Sequence, residues 1–300
     1  MNFPFNSEPL TDGRRRGAPR QFALPARSSL VLLAALLGGC QIPSRMTFQN
    51  IFQSAEHHVQ HGDQLLARGD LDGARKCFAS AERCDPNNAS ALAGLGRVAE
   101  KQGQLEEAIA YHGAALKYAP ENSTYALALA DALRHLAATS LDRRKLLESA
   151  IRAYRHTLSL APDNYVAALG LAQCYRQRGE FDRAVQTLRR AQKIDPSNPQ
   201  AHTMLAAVYE SSQHFDAAME EYKLALKFDR DDPAVHNSLA ALNLAMARSG
   251  RENAALARER AAAHCRRSLQ LDPDQPSVRM VLAELQSTTE PLSAIDDATP

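Results

Sequence analysis

The chain has 300 residues, of which 45% are hydrophobic, 23% charged and 6% aromatic, with no Trp and a formal net charge of +1. That length exceeds one ordinary globular domain but suits an array that grows along one axis. The near-neutral balance argues against nucleic-acid binding, which draws on concentrated positive charge, while few aromatics and much Ala suit closely paired helices.

Residues 1–39 form the first segment. Arg14, Arg15, Arg16, Arg20 and Arg27 precede a short apolar run, Leu30-Val31-Leu32-Leu33-Ala34-Ala35-Leu36-Leu37, which ends in Gly38-Gly39-Cys40. About ten apolar residues are too few to cross a bilayer core as a helix, so the order of charge, apolar run and small residues reads as an export signal. Leu37-Gly38-Gly39-Cys40 resembles the bacterial lipobox, which implies that Cys40 becomes a lipid-bearing mature N-terminus. Gln41 after that cysteine, rather than Asp, implies sorting to the outer membrane, facing the periplasm. The alternative is a cytoplasmic chain with a disordered basic arm. Loss of residues 1–39 removes five Arg together with Glu8 and Asp12, and shifts the balance from +1 to −2. Residues 40–54 are expected to serve as a tether.

From Ala55 the sequence becomes periodic. Pro86, Pro120, Pro162, Pro196 and Pro273 each close an alanine-rich segment at intervals of 34, 42, 34 and 77 residues. An Asp-rich junction at Phe228-Asp229-Arg230-Asp231-Asp232-Pro233 divides the longest interval. Six units follow: 55–88, 89–122, 123–164, 165–198, 199–232 and 233–275. Unit one places Gly62 and Leu65 on a first helix and Ala74, Phe78 and Ala81 on a second. Unit two repeats this with Gly96, Ala108 and Ala115, and unit four with Ala172, Tyr175, Gly179, Ala184 and Ala191. Gly and Ala let two helix backbones approach, and one larger residue (Phe78, Tyr154, Leu188 or Tyr222) fills the space beside them. Pro then ends the second helix, since it has no N–H and clashes with the preceding turn.

A 34-residue helical hairpin with this pattern resembles the tetratricopeptide repeat, over about Ala55 to Gln275, with His58, Leu92, Ala126, Ala168, His202 and His236 where the family usually has Trp. The resemblance implies an all-α, right-handed α-solenoid of about six hairpins. A helix at 276–286, with Val278, Val281, Leu282 and Leu285 as its apolar stripe, is expected to cap the last repeat within a solenoid spanning 55–288. Residues 289–300 carry too little hydrophobicity to order themselves. On packing grounds, Gly96→Val or Ala184→Leu is expected to overpack a helix pair, and Arg97→Ala to leave folding nearly unchanged.

Units three and six exceed 34 residues by 8 and 9. The extra length, near Ala138–Leu147 and Ser249–Ala257, is expected to lengthen the second helix of each unit, capped by Ser140 or Asp142 and by Ser249. Two basic-tipped projections on one edge then serve either as contacts for a partner or anionic headgroups, or as solvated helix ends.

Tetratricopeptide arrays commonly hold a partner segment against the first helices, which implies a concave groove for a protein or peptide. By phase the groove includes Glu56 and Asp63, Arg97 and Lys101, Asp131 and Arg134, Gln173 and Arg176, Thr203 and Glu210, and Asn237. Arg97, Arg134 and Arg176 lie in the middle, where bidentate pairing to a carboxylate is feasible, so an acidic or C-terminal peptide is one conceivable ligand. Chaperone-binding members of the family use Asn where this chain has Asp63, Arg97, Asp131, Gln173, Ala207 and Ala241, and their two-carboxylate clamp does not carry over.

No nucleophile elbow, P-loop, dinucleotide fingerprint or His-Glu-x-x-His is present, and neither an enzymatic activity, a cofactor nor a small-molecule substrate is expected. His57 and His61 share a helix face at i,i+4 but lack a further ligand, so no metal site is assigned. Cys77, Cys84, Cys174 and Cys265 read as structural: seven residues of helix separate the first two by roughly 10 Å, beyond the reach of a disulfide, and Cys265 falls in phase with Phe78 and Tyr154. The expected function is a non-enzymatic scaffold anchored to a membrane through Cys40. The build resembles that of lipoproteins of pilus and secretion assembly, of the pilotin or tight-adherence type. A soluble cytosolic adaptor is the alternative.

Overall fold

The structure is a computed structural model that describes residues 48–250 and 252–287, with side chains from Ser54 onward. The leader, Cys40, most of the segment read as a tether, residue 288 and the tail 289–300 lie outside the described residues. Among the described residues there are helices and turns and no strand. In chain order the helices are α1 (Phe48–Ala67), α2 (Leu71–Cys84), α3 (Ala89–Lys101), α4 (Leu105–Tyr118), α5 (Ser123–Thr139), α6 (Arg143–Leu160), α7 (Tyr165–Gln177), α8 (Phe181–Ile194), α9 (Pro199–Ser211), α10 (Phe215–Phe228), α11 (Pro233–Arg248), α12 (Ala254–Leu271) and α13 (Pro276–Ser287). They pair as six hairpins and one extra helix, and neighbours in sequence are neighbours in space. α1 begins at Phe48, inside the segment read as a tether.

Each hairpin is closed at the same depth by one buried side chain of its second helix, large in units one to five and a cysteine in unit six. Phe78, His112, Tyr154, Leu188, Tyr222 and Cys265 occupy equivalent positions and are all buried. Facing them are Ala or Gly on the first helix of the same hairpin or of the next one. A Cβ at Gly62 would lie 2.7 Å from the Phe78 ring, one at Gly96 2.5 Å from the His112 ring, and one at Gly170 2.4 Å from the Tyr154 ring. A larger side chain at Gly96 therefore meets a ring, and Ala184 has no exposed surface into which a Leu can grow. Thr157 and Ser268 replace Ala where units one, two, four and five have Ala81, Ala115, Ala191 and Ala225. Both are buried, and their hydroxyls donate to the carbonyls of Ala153 (3.0 Å) and Pro233 (3.1 Å).

Junction chemistry fixes where each hairpin begins. Asn88, Asn122, Asn164, Asn198 and Asp232 cap α3, α5, α7, α9 and α11, their side-chain oxygens accepting backbone N–H groups at 2.8–3.1 Å. Before three of these caps and before α13, Asp85, Asp195, Asp229 and Asp272 each accept the N–H two residues on, which turns the chain out of the helix. Unit five has Arg230 where the others have Pro, yet α10 ends in phase, because the Asp229 turn remains.

The long units differ from expectation. In ordinary hairpins the first helix stops at a residue with positive φ: Gly69 (82°), Gly103 (76°) and Gly179 (76°). Units three and six have Ala137 and Ala247 at that position, which favour continuing the helix. α5 and α11 therefore run to 17 and 16 residues and α6 and α12 to 18, against 13 and 14 elsewhere in α3, α4 and α7–α10. Both helices of each long hairpin gain about a turn, rather than the second alone. Ser140 and Ser249 sit at the C-terminal caps of the first helices, Asp142 makes no side-chain cap, and the cap of α12 is Asn253.

Unit five makes the same turn with Gln213 at φ 61°. A non-glycine residue in that region costs about 1–2 kcal/mol, part of which glycine gives back as unfolded-chain entropy. Gln213→Gly is expected to stabilise the array by about 0.5–1 kcal/mol, read as a raised urea midpoint.

The last helix closes the stack. Leu285 is buried, and Val278 and Leu282 are half-buried, against Ala240, Ala261, Ala262 and Cys265. Val281, at the edge of that stripe, is 36% exposed, and only three of the four expected side chains cover the end.

Candidate partner-binding groove

The first helices α1, α3, α5, α7, α9 and α11 carry the residues expected to line the groove, and many of these residues bond to one another across unit boundaries. Asp63 of α1 accepts from Arg97 of α3 at 2.5 Å, and the Arg97 guanidinium lies 5.8 Å from the centre of the Phe78 ring. In the middle, Tyr154 Oη donates to Asp131 Oδ1 (2.5 Å), Arg134 Nε donates to Tyr154 Oη (2.9 Å), and Arg134 also reaches Gln173 of α7 (3.3 Å). Burial, then the Asp131 carboxylate, push the Tyr154 phenol far above its ordinary value, so it acts as a neutral donor. Further along, Arg176 of α7 donates to Ser211 of α9 (3.4 Å), Tyr222 donates to Glu210 (3.2 Å), and Asn237 of α11 donates to Gln275 (2.6 Å). Burial, followed by Glu210, pushes the Tyr222 phenol up to about 12.

This pairing changes the expected carboxylate site. Arg97 and Arg134 already hold Asp63 and Asp131, so a ligand carboxylate competes with an internal one at both. Lys101 is exposed, and Arg176 has a single long bond to a neutral hydroxyl. These two are the groove cations without a carboxylate of their own among the described residues. The Asp63–Arg97 pair is about half exposed on both sides, and exposed pairs contribute only about 0.2–1 kcal/mol. Arg97→Ala is thus expected to shift the thermal midpoint very little, and a large loss would mean that its stacking on Phe78 matters more than its charge.

Two buried polar clusters were not legible as such. His202, at the position where the family usually has Trp, stacks on Phe228 at 5.5 Å and meets the buried Glu221 carboxylate at 2.8 Å; Arg189 (2.9 Å) and Gln192 (3.2 Å) also donate to that carboxylate. His236, in the same position of unit six, places its Nδ1 3.1 Å from Nδ1 of His264. Burial, then His236, holds the His264 imidazole below its ordinary value. A folded-state value below the unfolded-state value near 6.5 means that the unfolded chain binds protons first on acidification. The pair's contribution is complete above that value and is lost as pH falls through the lower folded one. His264→Gln is expected to flatten the decline in melting temperature between pH 7 and 5; an unchanged slope would place the acid sensitivity elsewhere. The signal in the sequence was the replacement of the usual Trp by His in these two units.

His61 meets Cys77 Sγ at 3.3 Å, and among the described residues no group of three His, Cys, Asp or Glu is placed to hold a metal. Cys77, Cys84, Cys174 and Cys265 are free thiols. No described helix is long and apolar enough to cross a membrane.

Family profiles described as tetratricopeptide repeat match residues 59–112, 144–207 and 177–242. The chain is a tetratricopeptide-repeat protein. Among solved structures, this tetratricopeptide array is similar to PilF of Pseudomonas aeruginosa, with a TM-score of 0.59 at 17% identity over 79% of this chain and 99% of that one. It is similar to a tetratricopeptide repeat protein of Parabacteroides merdae (TM-score 0.58, 19% identity, 78% of this chain and 99% of that one). It is also similar to YrrB, a tetratricopeptide-repeat protein with an unusual peptide-binding site (TM-score 0.54, 19% identity, 61% of this chain and 91% of that one). At these identities the likeness is one of fold. No curated protein matches the chain.

Proposed function

We propose that the chain is a lipid-anchored interaction scaffold of a bacterial envelope, with its repeats holding a partner polypeptide in support of a pilus, secretion or other envelope assembly. The observation that carries the scaffold reading is the row of first helices, on which polar side chains bridge α1 to α3, α5 to α7 and α7 to α9 and so give an extended segment a preorganised surface. The peptide-binding site named for YrrB supports such a use of the fold. Lys101 and Arg176 are the positions at which a carboxylate of the partner would meet the least internal competition. The anchor rests on Leu37-Gly38-Gly39-Cys40 behind its apolar run, and outer-membrane placement facing the periplasm rests on Gln41.

The experiment is the intact mass of the membrane-extracted chain, expressed with its own leader beside the Cys40→Ala variant. A product starting at acylated Cys40 and lost in the variant is expected. An unprocessed soluble chain starting at Met1 would move the scaffold to the cytoplasm. The groove is tested separately, by cross-linking from Lys101 and Arg176 positions in the native membrane.

A further inference from the structure

Charge is unevenly shared among the second helices. α6 carries Arg143, Arg144, Lys145, Arg152 and Arg155 against Glu148, and α8 carries Arg183, Arg189, Arg190 and Lys193 against Asp182. All nine cations are exposed. On either side the balance reverses: α4 has Glu106 and Glu107 against Lys117, and α10 has Asp216, Glu220 and Glu221 against Lys223 and Lys227. The chain is near neutral as a whole, so this is a local field and not a global excess. Arg143, Arg144, Arg155 and Lys193 have no acid partner among the described residues, and Arg155, Arg183 and Arg190 surround one cleft of about 510 Å³ between α6 and α8, with Leu158 and Tyr175 in its wall.

At the N-terminal end of this basic strip, in the turn before α6, stands Leu141, whose side chain is 106% exposed. It packs on nothing in its own fold; Asp142, which pairs with Lys145 at 3.8 Å, follows it, and the unpaired Arg143 and Arg144 come next. The extra turn of α5 and α6 carries it beyond the level at which units one, two, four and five make their turn.

We propose that the α6–α8 face, with Leu141 as its inserting tip, docks on a phospholipid surface rich in anionic headgroups. A protruding apolar side chain flanked by unpaired cations is the arrangement that inserts at a headgroup boundary, whereas a protein partner is usually gripped through desolvated pockets around buried anchors. Cations spread along two neighbouring helices also suit an extended anionic plane better than one acidic side chain. The inference does not rest on lipidation of Cys40. It adds a second contact that would lay the array against the membrane if the anchor is present.

The absence of Trp from the chain supplies the test. The full-length chain carrying Cys40→Ala and Leu141→Trp is titrated with vesicles of phosphatidylcholine alone and with added phosphatidylglycerol. A blue shift of the emission and quenching by brominated acyl chains are expected only with the anionic vesicles, while Phe228→Trp in the same background stays unchanged. Adding Arg143→Gln, Arg144→Gln and Arg155→Gln is expected to weaken binding at least tenfold at low salt, given roughly fivefold per cation at an anionic surface. The equal charge change Lys117→Gln, Lys223→Gln and Lys227→Gln is expected to weaken it less than threefold. An unshifted Trp at position 141, or equal losses from the two triple variants, would overturn the proposal. Because every chain compared has the same leader and cannot be acylated, the result stands whatever the mass measurement shows at Cys40.

Discussion

Tyr154→Ala is expected to destabilise the array by roughly 3–5 kcal/mol, the range for removing a buried aromatic side chain. The ring is fully buried in the largest core cluster of the described residues, where α5, α6 and α7 meet. It fills the space opened by Gly170, and its hydroxyl joins Asp131 to Arg134, which in turn reaches Gln173 of the next unit. Truncation thus leaves a cavity at the contact with Gly170 of unit four and also removes the hydroxyl that holds Arg134, the residue that reaches Gln173. In a solenoid each unit touches only its neighbours, so weakening one interface divides the array. Urea unfolding is expected to change from one transition to two. Tyr154→Phe keeps the packing and leaves Arg134 and Asp131 short of one partner, a loss of about 1–3 kcal/mol, with a single transition retained. A loss for Tyr154→Phe as large as that for Tyr154→Ala would show that the hydrogen-bond network, and not the ring, holds the junction.

Gly94→Val is expected to cost about 1–3 kcal/mol through overpacking. A Cβ at residue 94 would stand 2.4 Å from Phe78 Cε1 and 2.5 Å from Cδ1, and on its other side the same ring lies 2.7 Å from where a Cβ of Gly62 would be. The ring is held between the backbones of α1 and α3 and has no direction in which to retreat. Glycine inside a helix costs about 1 kcal/mol relative to alanine, so its placement here follows from packing and not from propensity. The double variant Gly94→Val with Phe78→Leu is expected to recover part of the loss, a coupling in the 0.5–3 kcal/mol range for residues in contact. Additive melting shifts would mean that the strain lies in the helix backbone and not against the ring.

Much of the architecture was legible because it repeats. One Gly or Ala in a helix means little, but Gly62, Gly96, Ala172 and their partners Ala74, Ala108 and Ala184 recur in phase, and the structure puts a large side chain opposite them. His112 escaped this reading, since a polar residue at the filler position does not announce burial. Leu188 and Cys265 fill the same position with less volume, as the in-phase reading of Cys265 implies. The groove residues were assigned to the right helices, but their pairing was not foreseeable: Asp63 and Arg97 stand 34 residues apart and meet only when α1 lies beside α3. The same holds for Arg134 with Gln173, and it is why two arginines expected to be open to a ligand carboxylate are already engaged. Division of the extra length between both helices of units three and six followed from a local rule, the presence of Ala137 and Ala247 where other units have a residue that adopts positive φ.

The sequence by itself determined the all-α class, the six-fold hairpin repeat, the Asn and Asp caps that start the second to sixth hairpins and the small residues at which helices touch. All of these are local or periodic, and local propensity together with a fixed repeat acts before any distant contact forms. Tertiary structure alone decided which charges remain open. Stacking brings α6 beside α8 and α1 beside α3, and so concentrates cations without partners on one face and pairs the charges of the groove. Coulombic and hydrogen-bond energies depend on separations in space, and separation along the chain does not fix them.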